Sequence, residues 1–105
     1  MDEVVWKILS TVAKRGFLGA TREDLFREAR GIGYAELEQI LLDLEGEGHL
    51  TIEWLGFNKF IATITPGGAA IARAEFLRRI DEIRQRAAQQ TAASESGDEA
   101  AAKGN

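Results

Sequence analysis

In the first half of the chain, apolar residues recur three and four positions apart, as they do on one face of an α-helix. This spacing predicts three helices, over residues 3–14, 22–30 and 34–45. Thr21 precedes the second helix and is a good N-cap, and Asp24 lies where a capping box has its acidic partner. The sequence therefore predicts a small core of three helices.

The spacing changes to two in the second half of the chain, which is the period of a half-buried β-strand. Residues 50–54 and 60–64 alternate in this way on either side of turn residues at 56–59. We therefore expect a β-hairpin after the third helix. Residues 17–20, between the first two helices, are expected to form a short extended link.

A fourth helix is predicted after the hairpin. Thr65 is a good N-cap, and Pro66 loses no hydrogen bond at the first helical position. The helix is expected to run from about residue 67 to residue 89. Its apolar residues include a 4-3-4 series, which is typical of a coiled-coil seam.

The predicted fourth helix is longer than a small core can cover, so we expect it to join two copies of the chain in a homodimer. The alternative is that Phe76 and Ile80 pack on the first helix of their own chain. The predicted dimer interface comprises Trp6, Phe76, Ile80, Ile83 and Ala87.

These elements predict a mainly α-helical chain with a small β-hairpin, in the α+β class. Residues 1–66 would form the compact domain and residues 67–90 the dimerisation helix. Residues 91–105 contain no large apolar side chain, so nothing offsets the entropy lost in ordering them. We expect this last segment to be a disordered tail.

The chain has 105 residues, no Cys and a formal net charge of −4. This charge argues against indiscriminate binding to nucleic acid but is compatible with a local basic face. The first residues lack the basic and apolar segments of a signal peptide, and no apolar run approaches the roughly 18 residues of a membrane span. We therefore expect a cytoplasmic protein that does not contact membranes.

The sequence shows no catalytic machinery. His49 is the only histidine, and no partner residue lies at the spacing of a metal site. The serines lie on the first helix or in the tail, and there is no Cys to act as a nucleophile. We expect no enzyme activity, no metal and no cofactor.

Two motifs resemble those of winged helix-turn-helix domains in small prokaryotic transcriptional regulators, such as the PadR and MarR families and short archaeal dimeric regulators. The end of the third helix is similar to the motif L-E-x-x-G-hydrophobic, and reads Leu44-Glu45-Gly46-Glu47-Gly48-His49-Leu50. The start of the fourth helix is similar to the motif T-x-x-G, and reads Thr65-Pro66-Gly67-Gly68. The resemblance covers residues 2–80.

The resemblance implies a winged helix-turn-helix with a three-helix core, a wing and a long C-terminal helix that joins two protomers. It also implies that the dimer binds duplex DNA. The third helix would enter the major groove, and the wing would touch the backbone or the minor groove.

Seven residues are candidates for contacts with DNA. Basic side chains would hold phosphates, whereas polar side chains near the third helix would approach bases. Between positions 34 and 47, however, the chain has five acidic residues and no Lys or Arg, so the third helix should repel phosphates. The candidates are Arg22, Arg27, Arg30, Tyr34, Gln39, Asn58 and Lys59.

The acidic third helix leaves a second function open. Ala35, Gln39 and Leu42 would lie opposite its apolar face, with acidic residues around them. Such a surface suits a basic protein partner, and folds of this kind recur as interaction modules. The sequence therefore supports two hypotheses: a dimeric DNA-binding transcriptional regulator or chromatin-associated protein, and a winged-helix protein-interaction module.

Overall fold

The computed structural model describes residues 1–103, with side chains described for residues 1–89. The chain divides into two compact units, Met1–Ala74 and the part from Glu75 onward. The elements in chain order are α1 (Glu3–Arg15), a 3₁₀ turn (Gly16–Leu18), β1 (Ala20–Thr21), α2 (Arg22–Glu28), α3 (Tyr34–Gly46), β2 (Leu50–Gly56), β3 (Lys59–Ile64) and α4 (Pro66–Lys103).

The core of the first unit is built from one face of each of the first three helices and from the sheet. Each fully buried aliphatic side chain stabilises the fold by about 1.5–3 kcal/mol relative to leaving it exposed. The helical periodicity in the sequence is confirmed by this packing. The largest fully buried side chains are Ile8, Leu9, Val12, Leu25, Leu37, Leu41 and Leu50.

The sheet has three antiparallel strands in the order β1-β3-β2, with β3 in the centre. The predicted extended link at residues 17–20 agrees with the structure at Ala20 and is wrong at Phe17 and Leu18. Its first part is the 3₁₀ turn, and Ala20 begins a strand that pairs with Ala62. Gly19 permits this approach, because it has φ +82° and a Cβ there would overlap Cγ2 of Ile61.

The β2-β3 hairpin, residues 50–64, is the wing of this fold. The predicted hairpin is confirmed, but β2 continues past Trp54 to Gly56, with a register irregularity between those two residues. Gly56 pairs with Lys59, so the turn itself contains two residues. Asn58 adopts φ +60°, a conformation that Asn tolerates better than most residues.

Helix α2 is shorter than predicted at its C-terminal end. It starts as expected, because Thr21 and Asp24 form the predicted capping box. It ends at Glu28 rather than at residue 30, since Ala29 leaves the helical region with φ −111° and ψ 66°. Ala29 is still buried in the core, as the apolar pattern predicts.

A glycine turn ends α3 and directs the chain into β2. The N–H of His49 donates to the carbonyl of Leu44 at 2.9 Å, and the N–H of Gly48 donates to the carbonyl of Glu45 at 2.9 Å. These bonds and φ +83° at Gly48 form a Schellman motif, which satisfies carbonyls that the helix leaves free.

The start of α4 is attached to this turn. The hydroxyl of Thr65 donates to the carbonyl of Gly48 at 2.7 Å and accepts the N–H of Gly68 at 2.9 Å. A Cβ at Gly68 would overlap the backbone carbonyl of His49, so a larger residue does not fit there. The two motifs noted in the sequence therefore meet at one junction between α3, the wing and α4.

The second unit begins with an ion-pair network along α4. The carboxylate of Glu75 lies 2.7 Å from Nη2 of Arg78 and 2.8 Å from Nε of Arg79, and Arg78 also lies 3.4 Å from Glu82. The hydrogen bond from Arg78 lowers the pKa of Glu75 to about 2. Helical spacings of three and four place these pairs on one side of the helix.

The fourth helix was predicted to end near residue 90, whereas α4 is one helix from Pro66 to Lys103. The predicted disordered tail over residues 91–105 falls outside the fully described part of the chain and stays a prediction. None of the described helices combines the length and the hydropathy needed to cross a membrane.

Candidate nucleic-acid interface

The seven DNA-binding candidates lie on α2, on α3 and at the tip of the wing, with Arg30 in the loop between the two helices. All belong to the first unit. The structure brings Tyr34 and Asn58 to the same groove, and Nε of Arg30 lies 3.3 Å from the carbonyl oxygen of Arg27. The candidates therefore lie in the α2-α3 region and at the wing tip, and these two regions meet at the groove that Tyr34 and Asn58 line.

Two of the three candidate arginines already have carboxylate partners. Nη2 of Arg22 lies 3.2 Å from Oε2 of Glu23, and Nη1 of Arg27 lies 3.2 Å from Oδ1 of Asp24. The Arg22 side chain is also half-buried. Phosphate would have to compete with these carboxylates for both guanidinium groups.

Asp24 is firmly ionised because the backbone holds it in place. The backbone N–H of Thr21 donates to Oδ2 of Asp24 at 3.0 Å, and this bond is the main cause of the lowered pKa of the Asp24 carboxyl. The hydroxyl of Thr21 and the nearby Arg15 and Arg27 lower it further. The partner of Arg27 is thus a permanent negative charge at neutral pH.

Arg30 and Lys59 have no carboxylate partner among the described residues. Both side chains are exposed. A cation that is exposed and unpaired can neutralise a phosphate without first breaking an ion pair. These two residues are therefore the best-placed phosphate contacts in the candidate set.

The surface of α3 offers little to DNA. The amide of Gln39 donates to Oδ1 of Asp43 at 2.9 Å, so the proposed base reader is engaged with an acidic neighbour. Leu42 is 41% exposed on the same helix. Helix α3 has four acidic residues and no Lys or Arg. The exposed face of this helix is thus apolar and acidic.

An open groove of about 430 Å³ lies between the start of α3 and the wing. Tyr34 and Glu38 line it from the helix, and Asn58 lines it from the wing turn. Its full lining comprises Tyr34, Glu38, Trp54, Gly56, Phe57 and Asn58.

The sequence did not place Trp54 in a site, and it placed Glu38 only among the acidic residues around Ala35, Gln39 and Leu42. Trp54 is 45% exposed, and its ring lies edge-on against Phe60 with the centroids 5.4 Å apart. The extension of β2 beyond residue 54 was the missing information, because it sets the distance of Trp54 from the turn. No spacing in the sequence relates Glu38 to the wing.

The residues predicted to form a dimer interface lie in both units. Trp6 is half-buried and packs against the core of the first unit. In the second unit Phe76 is 52% exposed and Ile83 is 58% exposed, while Ile80 is half-buried and Ala87 is exposed.

Two solved structures are similar to this chain. One is a candidate DNA-binding protein of Ralstonia eutropha JMP134, with a TM-score of 0.63, 19% identity and coverage of 72% of this chain and 98% of that one. The other is BpsR of Bordetella bronchiseptica, with a TM-score of 0.64 and 19% identity. That match covers 82% of this chain and 59% of BpsR, so this chain spans little more than half of the length of BpsR.

No protein-family profile and no curated protein sequence matches the chain. A structural likeness at 19% identity shows a shared fold. The mostly helical architecture with a small three-stranded antiparallel sheet agrees with it. The fold is therefore a winged-helix fold, as the resemblance of the sequence motifs implies.

Proposed function

We propose that this chain is a winged-helix DNA-binding protein, a transcriptional regulator or chromatin-associated protein of the PadR/MarR-like kind, without enzyme activity and located in the cytoplasm. The observation that carries the proposal is that Arg30 and Lys59 are exposed cations without a carboxylate partner among the described residues. Arg30 lies in the loop that leads into α3 and Lys59 lies in the wing, and α3 and the wing face DNA in this fold. BpsR is a protein whose DNA binding is regulated by 6-hydroxynicotinic acid, and its similarity in fold adds support.

In the proposed complex the wing and the α2-α3 loop hold the phosphates, and α3 contributes less than usual. Lys59 and Asn58 would contact the backbone at the wing tip, and Arg30 would contact it beside α3. Arg27 would add a weaker contact because Asp24 competes for it. This arrangement fits a protein that places its cations at the edges of an otherwise acidic surface.

The direct test exchanges the two unpaired cations for acids. The double variant Arg30→Glu, Lys59→Glu should bind duplex DNA at least about tenfold more weakly, since two phosphate contacts become repulsive. The control is Lys7→Glu, Lys14→Glu, which changes the net charge equally on exposed positions of α1. Fluorescence anisotropy would measure both, and equal losses would contradict the assigned surface.

The exposed face of α3 favours a second candidate function, a protein-interaction module. Leu42 is exposed among acidic residues, which suits a partner with a basic and apolar surface. Leu42→Arg should abolish capture of such a partner but should leave DNA binding intact or stronger. The Arg30 and Lys59 double variant should have the opposite effects, so the two variants distinguish the functions.

We also propose that α4 joins two copies of the chain. The support is the exposed apolar side chains of Phe76, Leu77 and Ile83, which follow helical spacing in the second unit. Ile80→Asp with Ile83→Asp should give a monomer in light scattering, since a charge pair would then face the partner. Arg84→Asp with Arg86→Asp is the control for added acids on α4, and an unchanged mass in the first variant would contradict the interface.

A further inference from the structure

The groove between α3 and the wing has aromatic walls from both elements. Tyr34 contributes from the first position of α3, and Trp54 and Phe57 contribute from the wing. Its volume of about 430 Å³ lies in the range of roughly 300–1,000 Å³ that is typical of small-molecule sites. The groove is therefore large enough for one small organic molecule.

The aromatic side chains of the wing are unusually exposed. Phe57 is 92% exposed, and Leu55 beside it is also exposed. Trp54 is fixed by its edge-to-face contact with Phe60, which is buried in the core. The wing thus presents one anchored ring and one free ring, and apolar surface of this kind commonly marks a binding site.

Glu38 supplies the only acidic side chain of the groove lining. It is half-buried, and no cation or hydrogen-bond donor is paired with its carboxylate among the described residues. Two other acidic residues of α3 differ in this respect. Asp43 accepts the amide of Gln39, and Glu45 accepts the backbone N–H of Ile52. The groove therefore holds an uncompensated negative charge beside aromatic rings.

This combination selects the charge of a ligand. The faces of Trp, Tyr and Phe rings attract cations through their quadrupole, and Trp is the strongest of the three. A carboxylate beside the rings adds to this attraction and disfavours carboxylates and phosphates. We infer that the groove between α3 and the wing binds a small organic cation with an apolar or aromatic body.

The position of the groove gives such a ligand a regulatory role, and this part rests on the proposed function. A molecule held between Tyr34 and Asn58 occupies the space between α3 and the wing tip. Both elements face DNA in a winged helix. A bound ligand would therefore compete with DNA for this surface, because it fills the space between the two elements.

Isothermal titration calorimetry without DNA tests the site directly. The probes are benzyltrimethylammonium, benzyl alcohol and benzoate, which share an aromatic ring and differ in charge. The ammonium should bind at least about tenfold more tightly than the alcohol, and benzoate should not bind. Equal binding of all three, or tighter binding of benzoate, would overturn the inference.

Three variants locate the binding. Glu38→Gln keeps the shape of the side chain and should weaken ammonium binding about tenfold, while benzyl alcohol binding should not change. Trp54→Leu should weaken both. Glu36→Gln removes an exposed carboxylate from the same helix outside the groove and should change neither. An equal loss in Glu38→Gln and Glu36→Gln would show a general charge effect and overturn the site.

Two further measurements test whether the cation is a small molecule or part of a peptide, and whether the ligand affects DNA binding. An acetylated arginine-rich peptide that bound more tightly than every small ammonium would overturn the assignment to a small molecule. In the DNA arm, benzyltrimethylammonium should lower DNA affinity in the wild type and have a weaker effect in Glu38→Gln. A protein that binds the ammonium but no DNA would sustain the groove and contradict the proposed function alone.

Discussion

Helix α3 and the wing are the two elements that a winged helix presents to DNA, and in this chain they differ in charge. Helix α3 has four acidic residues and no basic residue, whereas the wing tip carries Lys59 beside Asn58. Both rest on the same core, through Leu41 on the helix and Phe60 on the wing. The buried faces thus follow the fold, while the exposed faces differ between the two elements.

The difference teaches that fold and interface are set by separate residues. The positions that make α3 a helix of this fold are Leu37, Leu41 and Leu44, and none of them is available to a ligand. Gln39, a candidate base contact, donates to Asp43, and every charged residue of α3 is acidic. In the proposed function the wing and Arg30 therefore take over the electrostatic role that a basic recognition helix has in many regulators.

The largest expected effect is a loss of stability when the junction between α3, the wing and α4 is disrupted. Gly68→Ala should destabilise the chain by about 4 kcal/mol, at the upper end for single substitutions, because its Cβ would overlap the backbone carbonyl of His49. Thermal unfolding followed by circular dichroism would measure the loss. The matched control is Gly67→Ala, whose Cβ would meet its nearest atom, the carbonyl oxygen of Gly48, at 3.7 Å.

Gly67→Ala should leave stability unchanged or raise it slightly, since it also lowers the entropy of the unfolded chain. Equal effects of the two substitutions would show that the junction does not require glycine at position 68. The junction would then not be what holds α3 and the wing in place.

A smaller effect compares the charges of the two elements directly. Lys59→Ala should weaken DNA binding about fivefold and reduce the slope of log affinity against log salt by about 1, as expected for one lost phosphate contact. Lys14→Ala on α1 should change neither value. A slope that stayed the same in Lys59→Ala would exclude the wing tip from the interface.

The converse substitution on α3 should strengthen DNA binding. Asp43→Asn removes one repulsive charge and keeps an oxygen that accepts the amide of Gln39, so affinity should rise about twofold at low salt. Asp2→Asn, at an exposed position before α1, is the control for net charge. A weaker interaction in Asp43→Asn would mean that α3 contacts DNA through that carboxylate.

The smallest expected effect is on stability alone, and it comes from an ion pair on α4 rather than from α3 or the wing. The pKa of Glu75 is lowered from 4.5 to about 2 by Arg78, so its ion pairs contribute stability fully above pH 4.5 and lose it as the pH falls toward 2. The stability advantage of the wild type over Glu75→Gln should shrink across this range in pH-dependent thermal unfolding. DNA binding at pH 7 should be the same in both proteins, and a difference would link α4 to the interface.

The sequence was most informative where local rules decide the structure. The capping box of Thr21 and Asp24 and the N-cap at Thr65 were readable from residue types alone. Strand β1 was not readable, because two residues show no periodicity and its pairing partner, Ala62, is far away in the chain. Strand β1 is therefore determined by long-range pairing, which a local pattern does not show.

The candidate site was less predictable than the fold. The sequence supplied the charges, but the structure supplied the partners: Arg27 lies beside Asp24, and Gln39 donates to Asp43. The groove depends on the extension of β2 and on the irregularity after Trp54, which place an aromatic side chain opposite α3. Such features arise from backbone geometry that no short motif specifies.

The most direct test of the central claim is the salt dependence of binding to random duplex DNA, measured by fluorescence anisotropy between about 50 and 200 mM salt. A dimer that uses Arg30 and Lys59 from both protomers should give a slope of roughly −3 to −4 in log affinity against log salt. The absence of binding at the lowest salt, or binding that did not depend on salt, would contradict the claim that the wing and the α2-α3 loop hold DNA phosphates.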